Sequence, residues 1–190
     1  MILTAMSNYL MTYVWLLSPQ ALSIYPPTLF MGVLLAFFLV PIIAERFGKR
    51  ASASLCALVA LALGFAPYIL LALGIMPPLA TPPNIAILFG FLALATGAGA
   101  GVIILIPSML SDVIEAVQLK SGIRQEGLFF AGYFLTQKFC SGFSIMLTSQ
   151  ILTFSAFPAR AVQGQVPAET LWTLIGISGS LIFFFPIGMA

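Results

Sequence analysis

Residues 28–50 read TLFMGVLLAFFLVPIIAERFGKR, an uncharged apolar run from Thr28 to Ala44 that stops at Glu45, Arg46, Lys49 and Arg50. A bilayer core about 30 Å thick asks for about 20 apolar residues at roughly 1.5 Å each, and this run comes close to that length. The pattern of a long apolar run followed by punctuation continues along the whole chain. Of its 190 residues, 61% are hydrophobic and 6% are charged, whereas a soluble domain is about a quarter charged. Too few polar groups exist to clothe a water-soluble globule, so the solvent is lipid. Backbone groups in lipid must be satisfied within helices or a closed barrel, and these runs are too long and too continuously apolar for barrel strands. The fold class is all-α, a polytopic six-helix membrane bundle.

Prolines, glycines and charges divide the chain into spans at 1–17, 28–44, 51–75, 84–110, 127–156 and 169–190, within one bundle over 1–190. Ser18-Pro19 and Tyr25-Pro26-Pro27 break the chain after the first span, because proline lacks a donor and restricts its predecessor. Alternation of the spans puts Arg46, Lys49, Arg50, Lys120 and Arg124 on one side and Arg160 on the other. By the positive-inside tendency, loops 45–50 and 111–126 and both chain ends face the cytoplasm. Met1 opens inside an apolar run and the last span stops without a polar tail, which reads as a piece truncated at both ends; a small independent six-helix protein is the alternative.

Several function classes fall away on composition. With 7 Lys+Arg against 5 Asp+Glu and no basic patch, the chain lacks a nucleic-acid footprint. Histidine is absent, and Cys56 and Cys140 stand far apart in apolar runs, so neither a metal site nor a catalytic triad is expected. No span holds paired acids, which disfavours an intramembrane enzyme. No cofactor is expected.

Apart from Glu169 at the very start of the last span, Lys138 is the one charged side chain inside an expected span. Counting about 1.5 Å per residue from Gly127 places it roughly 17 Å into the core, near the midplane, where a charge is costly unless it meets water or a partner. Gln137, Ser141, Ser144 and Thr148 follow at helical steps and suggest a polar face beside it. Two readings stand: a cation lining a solute cavity, or a lysine pinned by carbonyls or an unseen carboxylate for structure alone. Asn8 and Thr12 share a face of the first span and could line the same cavity. Gly97 and Gly101 have the spacing that lets helix backbones approach closely. The stretch from Ser111 to Gly127 concentrates Asp112, Glu115, Lys120, Arg124 and Glu126, either a solvated link or charges that pair in one conformation and part in another.

Two of these stretches resemble a known family. Pro41-Ile42-Ile43-Ala44-Glu45-Arg46-Phe47-Gly48-Lys49-Arg50 is similar to the short basic loop motif of the major facilitator superfamily, with Glu45 for the usual Asp and Pro41 where glycine often stands. The stretch from Asp112 through Glu126-Gly127-Leu128-Phe129-Phe130 to Lys138 resembles the glycoside–pentoside–hexuronide:cation symporters, the melibiose-carrier group. The resemblance covers nearly the whole chain, as the carboxy-terminal six-helix half.

That resemblance implies a secondary transporter working by alternating access around a midplane site. It implies an amino-terminal six-helix half as partner, a small-molecule solute, and sodium or proton as coupling ion, held mainly by that other half. On this mapping Lys138, with Gln137, Ser141, Tyr133, Asn8 and Thr12, lines the cavity. Asp112, Glu115, Arg124 and Glu126, with Glu45, Arg46, Lys49 and Arg50, form a cytoplasmic gate. It further implies a multi-pass protein of the bacterial inner membrane. Ile103 stands where sugar-transporting relatives place a stacking aromatic, Tyr133 and Phe134 replace polar side chains, and Ala116 replaces a frequent tyrosine. These departures tilt the cavity towards an apolar or amphipathic solute such as a lysolipid. The competing expectation is an accessory membrane module with no transport of its own.

Overall fold

The computed structural model describes residues 7–158, 166–167 and 169–176. Among them the fold is all-α, with six helical segments. The first is helical at 7–9 and continues as a π-helical turn over Leu10–Val14; four long helices follow, α1 (Pro19–Phe47), α2 (Lys49–Ala72), α3 (Pro82–Ser121) and α4 (Glu126–Phe154), and residues 169–176 are helical again. Three of these, α1, α2 and α3, are long and apolar enough to cross a membrane. The protein is therefore a polytopic membrane protein, as the composition requires.

The boundaries differ from the sequence reading in instructive ways. The break at Ser18-Pro19 is real, but it also starts the next helix: the Ala21 N–H donates to Ser18 Oγ at 3.2 Å, and Pro19 sits in the first helical position, where no N–H is needed. Hence α1 begins at Pro19 rather than at 28 and carries Pro26, Pro27 and Pro41 inside it. A helix in lipid has no water to turn to when proline removes a bond, so continuing the helix is cheaper than unwinding it. Thr28 Oγ1 donates back to the Ile24 carbonyl at 2.9 Å, just beyond the proline pair.

Gly48 alone separates α1 from α2, with φ of 80°, a conformation that glycine takes without Cβ strain. The hydroxyl of the fully buried Ser52 lies 2.7 Å from the Gly48 carbonyl and 3.1 Å from that of Ile43, which ties the end of α1 to the first turn of α2. In place of 51–75, α2 runs over Lys49–Ala72. Thr81 and Pro82 open α3, and Asn84, wholly buried, donates through Nδ2 to the Pro77 carbonyl at 2.8 Å.

The largest departure is at the other end of α3. The stretch 111–126, expected as a loop, is helical through Ser121, and only 122–125 link α3 to α4. At 40 residues α3 is about 60 Å long, twice a hydrocarbon core, so its charged end from Ser111 on extends beyond the lipid tails. Gly122, left-handed at φ 69°, closes it by donating its N–H to the Gln118 carbonyl at 2.9 Å. In place of 127–156, α4 spans Glu126–Phe154. Of the expected spans 1–17 and 169–190, residues 1–6 and 177–190 lie outside the described residues, as does Arg160.

The chain divides into two compact units. The first, Met1–Leu22 with Phe134–Ala190, buries Leu10, Met11, Val14, Trp15 and Leu17, and brings the rings of Tyr9 and Tyr13 edge-on to Phe157 at 5.8 and 5.0 Å. Leu16, left-handed at φ 52°, ends the π-helical turn, and the Leu17 N–H reaches back to the Met11 carbonyl at 3.1 Å. The second unit, Ser23–Tyr133, has a core of Ala36 and Val40 from α1, Ala53 and Cys56 from α2, and Leu105 from α3. Small side chains in that core let backbones approach: a Cβ on Gly97 would fall 2.5 Å from the Gly32 carbonyl oxygen, and one on Gly101 2.8 Å from Val40 Cγ2.

Candidate functional site

The second unit carries the charged cluster. Lys49, the first residue of α2, donates to both carboxylate oxygens of Asp112 on α3, at 2.8 and 2.6 Å. The side chains are 41% and 56% exposed, so in water the pair would contribute on the order of 0.5 kcal/mol, less with added salt. Its value is geometric, because it latches the start of α2 to the point where α3 leaves the lipid. Nothing in the spacing announced this pair: the two residues lie 63 apart in sequence, and Asp112 read as a loop residue rather than a helical one.

A second grouping lies further along α3. Arg124 donates through Nε to Glu126 at 2.9 Å, just before α4, and Glu126 in that first turn complements the helix dipole. These two, with Ser111, Ile114, Glu115 and Gln118, surround a small cavity of about 180 Å³. Glu115 therefore faces Arg124 and Glu126 across a cavity because the stretch is helical, on a register of Ser111, Glu115 and Gln118 at steps of four and three. Glu45, Arg46 and Arg50 are exposed at the junction of α1 and α2, where Glu45 and Arg46 make no ion pair among the described residues. The residues expected as one gate thus stand as a latched pair and a charged pocket.

Lys138 is exposed near the middle of the 29-residue α4. The polar face expected beside it is separated from it. Ser144 and Thr148 are buried, and their hydroxyls donate to the carbonyls of Cys140 and Ser144 at 2.7 and 2.8 Å, one turn back on their own helix. Tyr133, Gln137, Cys140 and Ser141 are half-buried on that same side, whereas Lys138 is rotated from Gln137 by roughly 100°. Lys138 shares its side of α4 with the small Ala131, Gly142 and Ser149 and with the larger Leu135 and Ile145, both exposed. Phe134 and Phe139 flank it and are exposed. Asn8 is exposed and Thr12 half-buried; the π-helical turn that starts at Leu10 alters the regular four-residue step between them.

Unlike α1, α2 and α3, α4 falls short of the apolar character of a membrane-crossing helix, although it equals α1 in length. Thr136, Gln137, Lys138, Ser141 and Ser144 lower it. The polar residues Thr136, Gln137, Lys138, Ser141 and Ser144 in the middle of a helix of spanning length belong beside water or protein rather than among acyl chains.

Comparison with known proteins agrees with this architecture. An uncharacterised symporter of the cyanobacterium Synechocystis is 34% identical over 114 residues, 58% of this chain and 21% of the relative, so the aligned part spans about a fifth of that protein's length. No solved structure matches. The family of MFS/sugar transport proteins matches over residues 1–190. With helices long enough to span a membrane, a charged α3 end beyond the lipid, and a match along its full length, the chain belongs to the MFS/sugar transport protein family.

Proposed function

We propose that this chain is the carboxy-terminal half of a cation-coupled symporter of the glycoside–pentoside–hexuronide type in the bacterial inner membrane. Residues 1–190 would form one six-helix bundle that works by alternating access against an amino-terminal half. The observation that carries the reading is Lys138, a fixed cation exposed near the middle of α4. A charge at that depth is tolerated where it faces a wet pathway, and on its side Ala131, Gly142 and Ser149 alternate with the exposed Leu135 and Ile145. Sodium or proton is the coupling ion, bound mainly by the other half. Gln137, Ser141 and Tyr133 border the same pathway, with Asn8 and Thr12 from the first segment. The Lys49–Asp112 latch and the Glu115, Arg124 and Glu126 pocket serve as the cytoplasmic gate, together with Glu45, Arg46 and Arg50.

A second reading concerns the cargo. Phe134 and Phe139, exposed on either side of Lys138, favour an amphipathic solute with an anionic head, such as a lysolipid, over a plain sugar. Uptake into vesicles by the complete transporter, with sodium and pH gradients varied separately and with glycosides and lysolipids as cargo, tests both. Lys138→Ala is expected to cut uptake by about 10-fold with the protein still present in the membrane, since a hydrogen bond to a charged group contributes about 1.5–3 kcal/mol against the roughly 1.4 kcal/mol behind that factor. Unchanged uptake would remove Lys138 from the pathway.

A further inference from the structure

The junction of α1 and α2 holds an open cavity of about 520 Å³ lined by Phe47, Gly48, Lys49, Arg50, Ala51 and Ser54. Three of the chain's 7 basic residues, Arg46, Lys49 and Arg50, fall within this short stretch. Lys49 is already neutralised by Asp112. Arg50 lines the cavity, Arg46 lies outside its lining and precedes the rim residue Phe47 in the last turn of α1, and neither has an ion-pair partner among the described residues. Glu45 is the acid left nearby, so the arginines outnumber it. Below the cavity the same side of α2 continues from Ala51 and Ser54 into Leu55 and Leu58, which are 46% and 63% exposed, and Phe47 is 62% exposed at the rim. The arrangement is thus a cup with Arg50 on its wall and Arg46 next to its rim residue Phe47 in sequence, at the end of two membrane-crossing helices, with an apolar track along one of them.

We infer that this cup binds the phosphodiester headgroup of an anionic phospholipid, with Arg46 and Arg50 on the phosphate and an acyl chain along Leu55 and Leu58. Guanidinium groups suit a phosphate because their fixed fork presents paired donors, and each basic residue near an anionic surface adds a measurable increment of affinity. The apolar track separates a lipid from a free phosphate, which has no use for exposed leucines. Lys49, held by Asp112, sets the wall of the cup and leaves the arginines to meet the ligand.

Native mass spectrometry of the full chain released from mixed bilayers, counting retained phosphatidylglycerol against phosphatidylcholine, tests the assignment. Retention of phosphatidylglycerol over phosphatidylcholine is expected, falling roughly 5-fold for each of Arg46→Gln and Arg50→Gln, and unchanged in Lys120→Gln. In parallel, phosphatidylglycerol should raise the melting temperature of the parent and not of the double variant, while both melt alike in phosphatidylcholine. Equal retention by the double variant would overturn the proposal, as would equal retention of phosphatidylcholine. Stabilisation by glycerol 3-phosphate as large as that by phosphatidylglycerol would also overturn it, by assigning the cup to a soluble anion.

Discussion

A methyl group on Gly32 would overlap the carbonyl of Ala93, and one on Gly97 would meet the carbonyl of Gly32, so these two glycines set the distance between α1 and α3. Overpacking at such a contact costs about 1–3 kcal/mol. Gly32→Ala and Gly97→Ala are therefore expected to lower the melting temperature in detergent. Gly99→Ala, with open space at its Cβ, should leave it unchanged or raise it slightly, since alanine favours the helix by about 0.5–1 kcal/mol. Equal effects at Gly97 and Gly99 would mean that helix propensity, not contact, governs the site. Gly97 was legible in the sequence from its spacing to Gly101. Its partner Gly32 was not, because a glycine inside a long apolar run shows nothing of which helix will face it. The same limit applies to Lys138: its rarity and depth could be read from one chain, but its rotation away from Ser144 and Thr148 depends on which side of α4 packs.

At the scale of elements, α1 shows how lipid changes the reading of proline. In water Pro26 and Pro27 would end a helix; here the helix starts at Ser18-Pro19 and runs through them to Phe47. Ser18→Ala removes the oxygen that accepts the Ala21 N–H and is expected to cost about 1 kcal/mol, seen as faster amide hydrogen exchange over 20–22 with no change beyond Thr28. The latch between α2 and α3 makes a different prediction. In a double-mutant cycle with Lys49→Gln and Asp112→Asn, the coupling in thermal stability should be below about 1 kcal/mol and should fade in high salt, because both side chains are half-exposed. Uptake by the complete transporter should nonetheless fall in both single variants, because the proposed gate depends on where the helix ends are held. Among the described residues, the existence of the long helices was legible from apolar run length. Helix ends were not: the charges of 111–121 looked like a loop because a charged stretch after an apolar one has the same composition whether the chain turns back or the helix runs on into water.

For the whole molecule, composition decided the solvent, and periodicity added nothing because nearly every face of each long run is apolar. The orientation rests on Arg46, Lys49, Arg50, Lys120 and Arg124 sharing one side, and the length of α3 offers a direct check. With Cys56 and Cys140 replaced by alanine, Leu119→Cys, at an 83% exposed position on the projecting end of α3, should react with a membrane-impermeant maleimide only from the cytoplasmic side. Ile103→Cys, deeper in the same helix, should stay unlabelled from that side. Labelling of Leu119→Cys from outside would invert the topology. The single residue Gly48 between α1 and α2 bears on how such a protein is made. Two membrane-length helices joined by one residue favour entry into the lipid together as a hairpin, which in the folded protein is clasped where the Ser52 hydroxyl reaches the carbonyls of Ile43 and Gly48.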